Sequence, residues 1–211
     1  MLALFPLQLV VYPGERLALH IFEERYQQLV KDCESEGITF GVPTYLDKKL
    51  EYGTEVILKK IEKAYDDGQS DIVCTGTRIF KINDFYKQAP GKLYAGGNVS
   101  FMDNDQKSDD ELQEELLNQI NKLYYELQIE NPPQFKVPLT SYKVAHKIGL
   151  ALHQEYHLLT LSKEINRLQY LIGHLRVTIP VVREMNRTKE VIQMNGHFKN
   201  FDPLDFEDFE L

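Results

Sequence analysis

The chain has 211 residues, of which 43% are hydrophobic and 27% are charged, and it carries a net charge of −8. This composition is that of a globular protein, and the acidic charge argues against phosphate-driven binding to nucleic acid and against adsorption on an anionic membrane. Two cysteines, Cys33 and Cys74, are too few for a disulfide framework, so we expect buried free thiols. No stretch reaches the roughly 20 apolar residues that span a bilayer, and the start has neither the basic residue nor the cleavage site of a signal peptide. We therefore expect a cytoplasmic protein.

The first hundred residues predict a β-rich unit with one helix. Strands are expected at Leu2–Phe5, Leu17–Ile21, Ile38–Tyr45, Glu55–Tyr65, Asp71–Phe85 and Leu93–Met102. From Phe22 to Cys33, apolar residues recur at spacings of three and four, which predicts a helix that stops at Gly37. Turn signals such as Asp66-Asp67-Gly68 separate the later strands, and this pattern predicts a small antiparallel barrel or a strongly twisted sheet.

The strand Asp71–Phe85 is expected to present alternate residues on one face. These residues are Ile72, Cys74, Gly76, Arg78, Phe80 and Ile82. The pattern predicts that Phe80 lies in the core and that Arg78 belongs to the same face.

The second half predicts a helical bundle. Ser108 with Glu111 forms a capping box that starts a helix, and further helices are expected over 141–156, from Ser162, and from Thr178 to Met194. A separate last helix is expected because Pro180 should kink or restart the chain. The predicted organisation is a β unit over 1–102, an acidic linker over 103–110, a helical bundle over 111–199 and an acidic-aromatic tail over 200–211. The tail is either a solvated terminus or a segment that docks on its own domain or on a partner.

One histidine pair invites comparison with a zinc protease. His153 and His157 are four residues apart on the predicted second helix, and His146 lies seven residues before His153. A zinc protease, however, needs Glu directly after the first His, where this chain has Gln154. We therefore predict a polar helix face and no metal site.

The order and spacing of several short motifs resemble the N-terminal domain family of Lon proteases. The motifs are Phe5-Pro6-Leu7, Tyr12-Pro13-Gly14, Leu19-His20-Ile21-Phe22-Glu23-x-Arg25-Tyr26, Phe40-Gly41-Val42, Gly53-Thr54, Asp67-Gly68 and Gly76-x-Arg78-x-Phe80-x-Ile82. The helical half matches more loosely, through Leu161-Ser162-x-Glu164-Ile165-x-Arg167-Leu168. The chain is also similar to the Lon-like domain of cereblon.

This resemblance implies an α+β fold, with a PUA-like β-barrel subdomain followed by an α-helical bundle subdomain. It implies a stand-alone member of the family whose function is to bind unfolded or damaged protein in quality control. The chain has no G-x-x-x-x-G-K-[ST] phosphate loop, and we expect no Ser–Lys protease domain, for which the residues after 200 leave no room. The resemblance therefore predicts a protein without catalytic activity and without a cofactor.

Six residues of the matched motifs are the candidates for binding a peptide or partner protein: His20, Phe22, Glu23, Arg25, Tyr26 and Arg78. For Glu23, Arg25 and Arg78 the alternative is a structural role, because a charged residue in an apolar run usually has a local partner. We expect the binding site to be an apolar groove where the barrel and the helices meet.

The predicted partners are exposed hydrophobic segments of unfolded proteins or one partner protein, and a homo-oligomer is possible. Nucleic acid and membranes are not expected partners. Two other functions remain open. One is an RNA-binding PUA-like module, because Lys59, Lys60 and Lys63 cluster on one predicted hairpin. The other is a small hydrolase with an unrecognised site.

Overall fold

The structure is a computed structural model and describes residues 1–197, so the tail predicted over 200–211 lies outside the described residues. Six strands and five α-helices make up this part of the chain. The strands are β1 Leu2–Leu4, β2 Arg16–Ile21, β3 Phe40–Leu46, β4 Lys49–Ala64, β5 Ser70–Tyr86 and β6 Ala95–Phe101. The helices are α1 Glu24–Glu36, α2 Asp110–Glu126, α3 Ser141–Val144, α4 Leu152–Thr160 and α5 Glu164–His197. The predicted α+β class is confirmed.

The six strands form one sheet that closes on itself. Their order is β2-β5-β4-β3-β1-β6, and β6 also pairs with β5. Five strands therefore form a ring, while β2 pairs with the first half of β5, at Ser70–Thr75. The second half of β5 pairs with β6, from Phe80 to Tyr86. All pairings are antiparallel except β1 with β3.

Strand β4 begins six residues before the predicted Glu55. Asp47 and Lys48 both have positive φ, at 48° and 62°, and form the tight turn between β3 and β4. A two-residue turn of this kind usually has the sequence Asn-Gly or Asp-Gly. Because Asp47-Lys48 does not match that pattern, the turn was not predicted from the sequence. The predicted turn at Gly68 and the predicted helix stop at Gly37 are confirmed, with φ of 85° and 67°.

Helix α1 packs its apolar face against the barrel. Tyr26, Leu29, Val30 and Cys33 are buried, as the spacing predicts, and share a core with Phe40, Val56, Ile72 and Cys74. Both cysteines are free and buried, and burial raises the pKa of each thiol to about 12. The prediction of buried free thiols is confirmed.

Three predictions about the helices are wrong. Helix α2 is capped by Asp109, whose side chain accepts a hydrogen bond from the Leu112 backbone, and not by Ser108. The predicted helix over 141–156 is divided, because Gly149 has a φ of 78° and separates α3 and a 3₁₀ turn from α4. Helix α5 continues through Pro180. Since Pro180 is exposed, we attribute this tolerance to solvent, which can hydrate the carbonyl that the proline leaves without a partner.

The helical half and the barrel share one core. Val10, Tyr12 and Ile79 of the β half pack in the same cluster as Leu116, Ile120, Leu168 and Leu171 of the helices. The predicted linker is also attached, because the Asp105 backbone pairs with Ser162 and Glu164 on the way into α5. None of the helices in residues 1–197 combines the length and apolar character that crossing a membrane requires.

Candidate functional site

The six predicted site residues lie on two separate surfaces. His20, Phe22, Glu23, Arg25 and Tyr26 are at the end of β2 and the start of α1. Arg78 lies on β5, seven residues beyond Asp71, the register partner of His20. Seven residues of strand span roughly 23 Å, so one small ligand cannot reach both places. We call the first place the α1 surface.

The α1 surface is an exposed aromatic cluster held by polar contacts. His20 Nδ1 lies 2.7 Å from Asp71 Oδ1, and its Nε2 lies 3.0 Å from Gln69 Oε1. The hydrogen bond to Asp71 raises the pKa of His20. Phe22 stacks beside His20 with ring centres 6.2 Å apart, and 62% of Phe22 is exposed. The cluster offers one large apolar side chain inside a ring of polar ones.

Glu23, Arg25 and Tyr26 organise the first turn of α1. Arg25 Nη2 pairs with Glu23 Oε2 at 2.7 Å, and its guanidinium lies over the Tyr26 ring at 4.6 Å. Tyr26 itself is buried and stacks on Phe5, with ring centres 3.6 Å apart. Tyr26 is therefore a core residue, while Glu23 and Arg25 are half-exposed charges that neutralise each other.

Strand β5 carries a bulge next to Arg78, which stays on the face predicted for it, the face of Phe80. The register with β4 shifts between Thr54 and Val56, which face Ile79 and Gly76, so Thr77 and Arg78 together oppose Glu55. Leu2 packs on Phe80 and also lines the groove beside Arg78, so Arg78 and Phe80 share one side of β5. Arg78 is exposed, whereas Phe80 is fully buried as predicted.

The Arg78 side chain forms a fork with a buried carboxylate. Its Nε and Nη2 donate to the two Glu55 oxygens at 2.8 and 3.0 Å. Thr39 and Thr77 donate to the same carboxylate at 2.8 and 3.0 Å. Burial opposes the charge of Glu55, but these hydrogen bonds, from Arg78 first, lower its pKa below the ordinary value. Arg78 is therefore fixed in place on the barrel.

A groove of about 320 Å³ opens beside Arg78. We call it the Arg78 groove; it is lined by Met1, Leu2, Glu55, Arg78, Asn98, Val99 and Phe101. The guanidinium lies over the Phe101 ring, 3.6 Å from its centre. Phe101 is 43% exposed and Met1 is 69% exposed. Within residues 1–197, Arg78 Nη1 has no hydrogen-bond partner, so one donor points away from the fork.

A cleft opens at the junction of the barrel and the helices, where an apolar groove was expected; its role in binding stays a prediction. This cleft of about 360 Å³ is lined by Tyr12, Pro13, Gly14, Glu15, Thr140, Tyr142, Lys143, His146 and Lys147. Its two tyrosines are buried and stack at 4.9 Å, and more of its exposed lining is apolar than polar. Charged side chains form its rim. His146 joins the two halves here, with Nε2 3.2 Å from Glu15 Oε2 and Nδ1 2.7 Å from Glu155 Oε1.

Of the three histidines compared with a zinc site, His146 is separated from the other two, which share α4. The break at Gly149 separates His146 from the helix that carries His153 and His157. The ring of His157 packs against Tyr170, with centres 5.0 Å apart. In the described part of the chain, no group of three or more His, Cys, Asp or Glu side chains is placed to hold a metal ion.

Sequence reasoning missed Val99 and Phe101. Both belong to the predicted strand Leu93–Met102, and their spacing of two residues places them on one face. Nothing in the sequence indicated that this face adjoins Arg78, because the bulge and the β5–β6 register determine that contact.

Comparison with known proteins gives consistent results. A family model described as the ATP-dependent protease La (LON) substrate-binding domain matches residues 1–177. The structure is similar to the crystal structure of a Lon N-terminal domain protein from Xanthomonas campestris, with a TM-score of 0.63 and 28% identity, over 82% of this chain and 96% of that one. It is also similar in fold to the N-terminal domain of a Mycobacterium avium complex Lon protease, with a TM-score of 0.60 and 15% identity, over 83% and 97% of the two chains. No curated protein matches the chain.

Proposed function

Because the chain belongs to the family of Lon substrate-binding domains, we propose that it is a non-catalytic module that binds exposed apolar segments of unfolded polypeptides in the Arg78 groove. The observation that carries the proposal is the position of Phe101. Its ring is partly exposed on the groove wall and is covered on one face by the Arg78 guanidinium. Aromatic and arginine side chains are the residues that most often dominate protein-binding sites.

The groove provides both kinds of contact that an extended chain needs. Met1, Val99 and Phe101 offer apolar contact to a side chain of the substrate. Arg78 Nη1 can donate to a backbone carbonyl without leaving its fork with Glu55. Apolar contact and backbone hydrogen bonds place few demands on sequence, which suits recognition of many unfolded chains.

The expected affinity is weak. Burial of one Leu or Phe side chain contributes about 1.5–3 kcal/mol, and the unfolded ligand loses conformational entropy when it is ordered. A single groove should therefore bind with a dissociation constant of roughly 1–100 µM.

The α1 surface stays the rival binding site. Phe22 is more exposed than Phe101, but it stands among charged and polar side chains, and the paired Glu23 and Arg25 flank it. The assignment of His20, Phe22, Glu23, Arg25 and Tyr26 to peptide binding remains a prediction, which substitution of Phe22 tests.

Two of the three lysines that favoured an RNA-binding module have partners within the protein. Lys60 pairs with Glu62 at 2.8 Å, and Lys63 lies over the Tyr65 ring at 4.3 Å. These contacts reduce the charge available to a phosphate backbone, so we favour a polypeptide ligand.

The test is equilibrium binding of fluorescent, reduced and carboxyamidomethylated α-lactalbumin, a permanently unfolded chain, with labelled single-stranded RNA titrated in parallel. We expect saturable binding of the unfolded chain that changes little between about 50 and 500 mM salt, because apolar contacts are not screened. Absence of binding would contradict the proposal. Salt-sensitive binding of RNA instead would support an RNA-binding module.

A further inference from the structure

Helix α5 carries a stripe of exposed apolar side chains along its C-terminal half. These are Val177, Val181, Met185, Val191 and Ile192, with 71%, 56%, 67%, 50% and 65% exposure. Residues 177–192 span about 22 Å of helix. A stripe of this length is unusual on the surface of a monomer and indicates an interaction surface.

The stripe follows a heptad pattern. Val181 and Thr188 can be assigned to position d of a heptad. Met185 and Ile192 then occupy position a, and Val177 and Val191 occupy position g. All five exposed large apolar residues of α5 thus fall on the three positions a, d and g. Glu184 then occupies g and Lys189 occupies e, on opposite sides of the stripe. This is the arrangement of a two-stranded coiled coil, in which a and d form the seam and e and g flank it.

The opposite side of α5 faces its own domain. Arg183 Nη2 pairs with Glu126 Oε1 of α2 at 2.7 Å, and Asn186 bonds to the Glu126 carbonyl. Val182 packs against the helical core. The stripe therefore points away from α2, where a second helix can approach without displacing any described contact.

We propose that a second copy of this chain covers the stripe, and that the two α5 helices pack in parallel as a short coiled coil. The charges favour this partner and this direction. In a parallel pair, position g of one helix faces position e of the next heptad on the other helix. Glu184 therefore meets Lys189 of the partner subunit on both sides of the seam. An antiparallel pair would bring like charges together, glutamate beside glutamate and lysine beside lysine.

The dimer is expected to be weak. Only two heptads take part, and Thr188 places a hydroxyl in the seam. We therefore expect a dissociation constant of roughly 10–100 µM, typical of a small interface. This inference does not rest on the proposed function, since a monomer and a dimer can both present the Arg78 groove.

Sedimentation equilibrium of the full chain, from about 1 to 500 µM, tests the association. The expected result is a reversible monomer–dimer equilibrium that Met185→Glu abolishes. Met185 is exposed, so this variant should fold as the parent does, which circular dichroism checks. A chain that stays monomeric over the whole range overturns the proposal, and the segment after residue 197 or another protein then becomes the candidate for covering the stripe.

Charge exchange tests the direction of packing. Glu184→Lys and Lys189→Glu each create like-charge pairs in a parallel dimer and should weaken association about tenfold. The double variant, and an equimolar mixture of the two single variants, should restore it. If neither single substitution weakens association, the parallel arrangement is wrong.

Disulfide formation gives an independent measure of direction. Val181→Cys should form an intermolecular disulfide on mild oxidation, because two d positions face each other only in a parallel pair. Arg187→Cys is the matched control and should remain unlinked, because Arg187 lines a groove with the end of α2, away from the stripe. Cross-linking of the control with equal yield, or failure of Val181→Cys in a chain that dimerises, would contradict parallel packing.

Discussion

Glu164 and Arg167 form an ion pair of 2.8 Å in which neither side chain is exposed to solvent. The carboxylate also accepts hydrogen bonds from the backbone and hydroxyl of Ser141, at 2.6 and 2.8 Å. The guanidinium also donates to the carbonyls of Leu161 and Asp105, at 2.7 and 3.0 Å. One charge pair thus joins the start of α5 to α3 and to the segment that leaves the barrel. Both residues belong to the motif through which the helical half resembles the family.

Arg167→Met should cost about 3–5 kcal/mol of unfolding free energy, measured by urea denaturation. The substitution preserves much of the side-chain length but leaves the Glu164 carboxylate buried without its counter-charge. Two backbone carbonyls lose a donor as well. The same substitution at Arg176 is the matched control. Arg176 pairs with Glu115 in solvent, with 63% of the arginine side chain exposed, so its loss should cost less than about 1 kcal/mol. Equal losses at the two positions would contradict the role assigned to the buried pair.

Phe80→Ala should destabilise the protein by about 3–5 kcal/mol, as truncation of a buried phenylalanine does. Phe80 is fully buried with Leu2 and Leu4. Phe85 on the same strand is 39% exposed, so Phe85→Ala serves as the control and should cost about 1 kcal/mol or less. A loss below 1 kcal/mol at Phe80 would mean that this side chain does not lie in the barrel interior.

His146 should make stability depend on pH. Its hydrogen bond to Glu15 and the further bond to Glu155 outweigh burial and raise its pKa from 6.5 to about 9. Because the pKa is higher in the folded state, the interaction stabilises fully below about pH 6.5 and is lost as the pH rises through 9. With about a third of the side chain exposed, we expect a loss of the order of 1–2 kcal/mol between pH 6.5 and 9.5.

Unfolding free energies of the parent and of His146→Gln, measured across this pH range, test the expectation. The variant should be less stable than the parent at pH 6.5 and should lose the slope that the histidine produces. A parent whose stability is constant or increases from pH 6.5 to 9.5 would show that Glu15 and Glu155 do not hold a charged His146.

The dimer should increase retention of ligands that offer several sites. Met185→Glu is expected to weaken binding of a long unfolded chain while leaving binding of a short apolar peptide unchanged, because only the long chain can occupy two grooves at once. Fluorescence titration with both ligands measures the difference. A variant that loses affinity for both ligands to the same degree would place Met185 in the binding site itself.

The elements that depend on local signals were predictable. The helix of Tyr26 to Cys33 follows from apolar spacing, and Gly37 and Gly68 lie where the backbone needs a positive φ. The long helix through Pro180 was not predictable from local rules, which place a break at proline, because they do not show that Pro180 lies on the exposed side of α5. Likewise, the break at Gly149 lies inside a pattern that local spacing assigns to one helix.

The candidate site was harder to predict from the sequence than the fold was. Arg78 was identified, but its neighbours were not, because Met1, Glu55 and Phe101 meet it only through strand register. Period-two alternation places Arg78 on the same face as Phe80, as the structure does. Alternation does not indicate that this face is open to solvent at Arg78 and closed at Phe80.

The most direct test of the account compares binding of the unfolded α-lactalbumin probe by Phe101→Ala and Phe22→Ala. Both substitutions remove one partly exposed phenylalanine, and thermal unfolding checks that both variants remain folded. If substrates bind in the Arg78 groove, Phe101→Ala should weaken binding about tenfold or more, since it removes roughly 1.5–3 kcal/mol of apolar contact, while Phe22→Ala should bind as the parent does. Loss of binding in Phe22→Ala with parental binding in Phe101→Ala would contradict the account and place the site on the α1 surface.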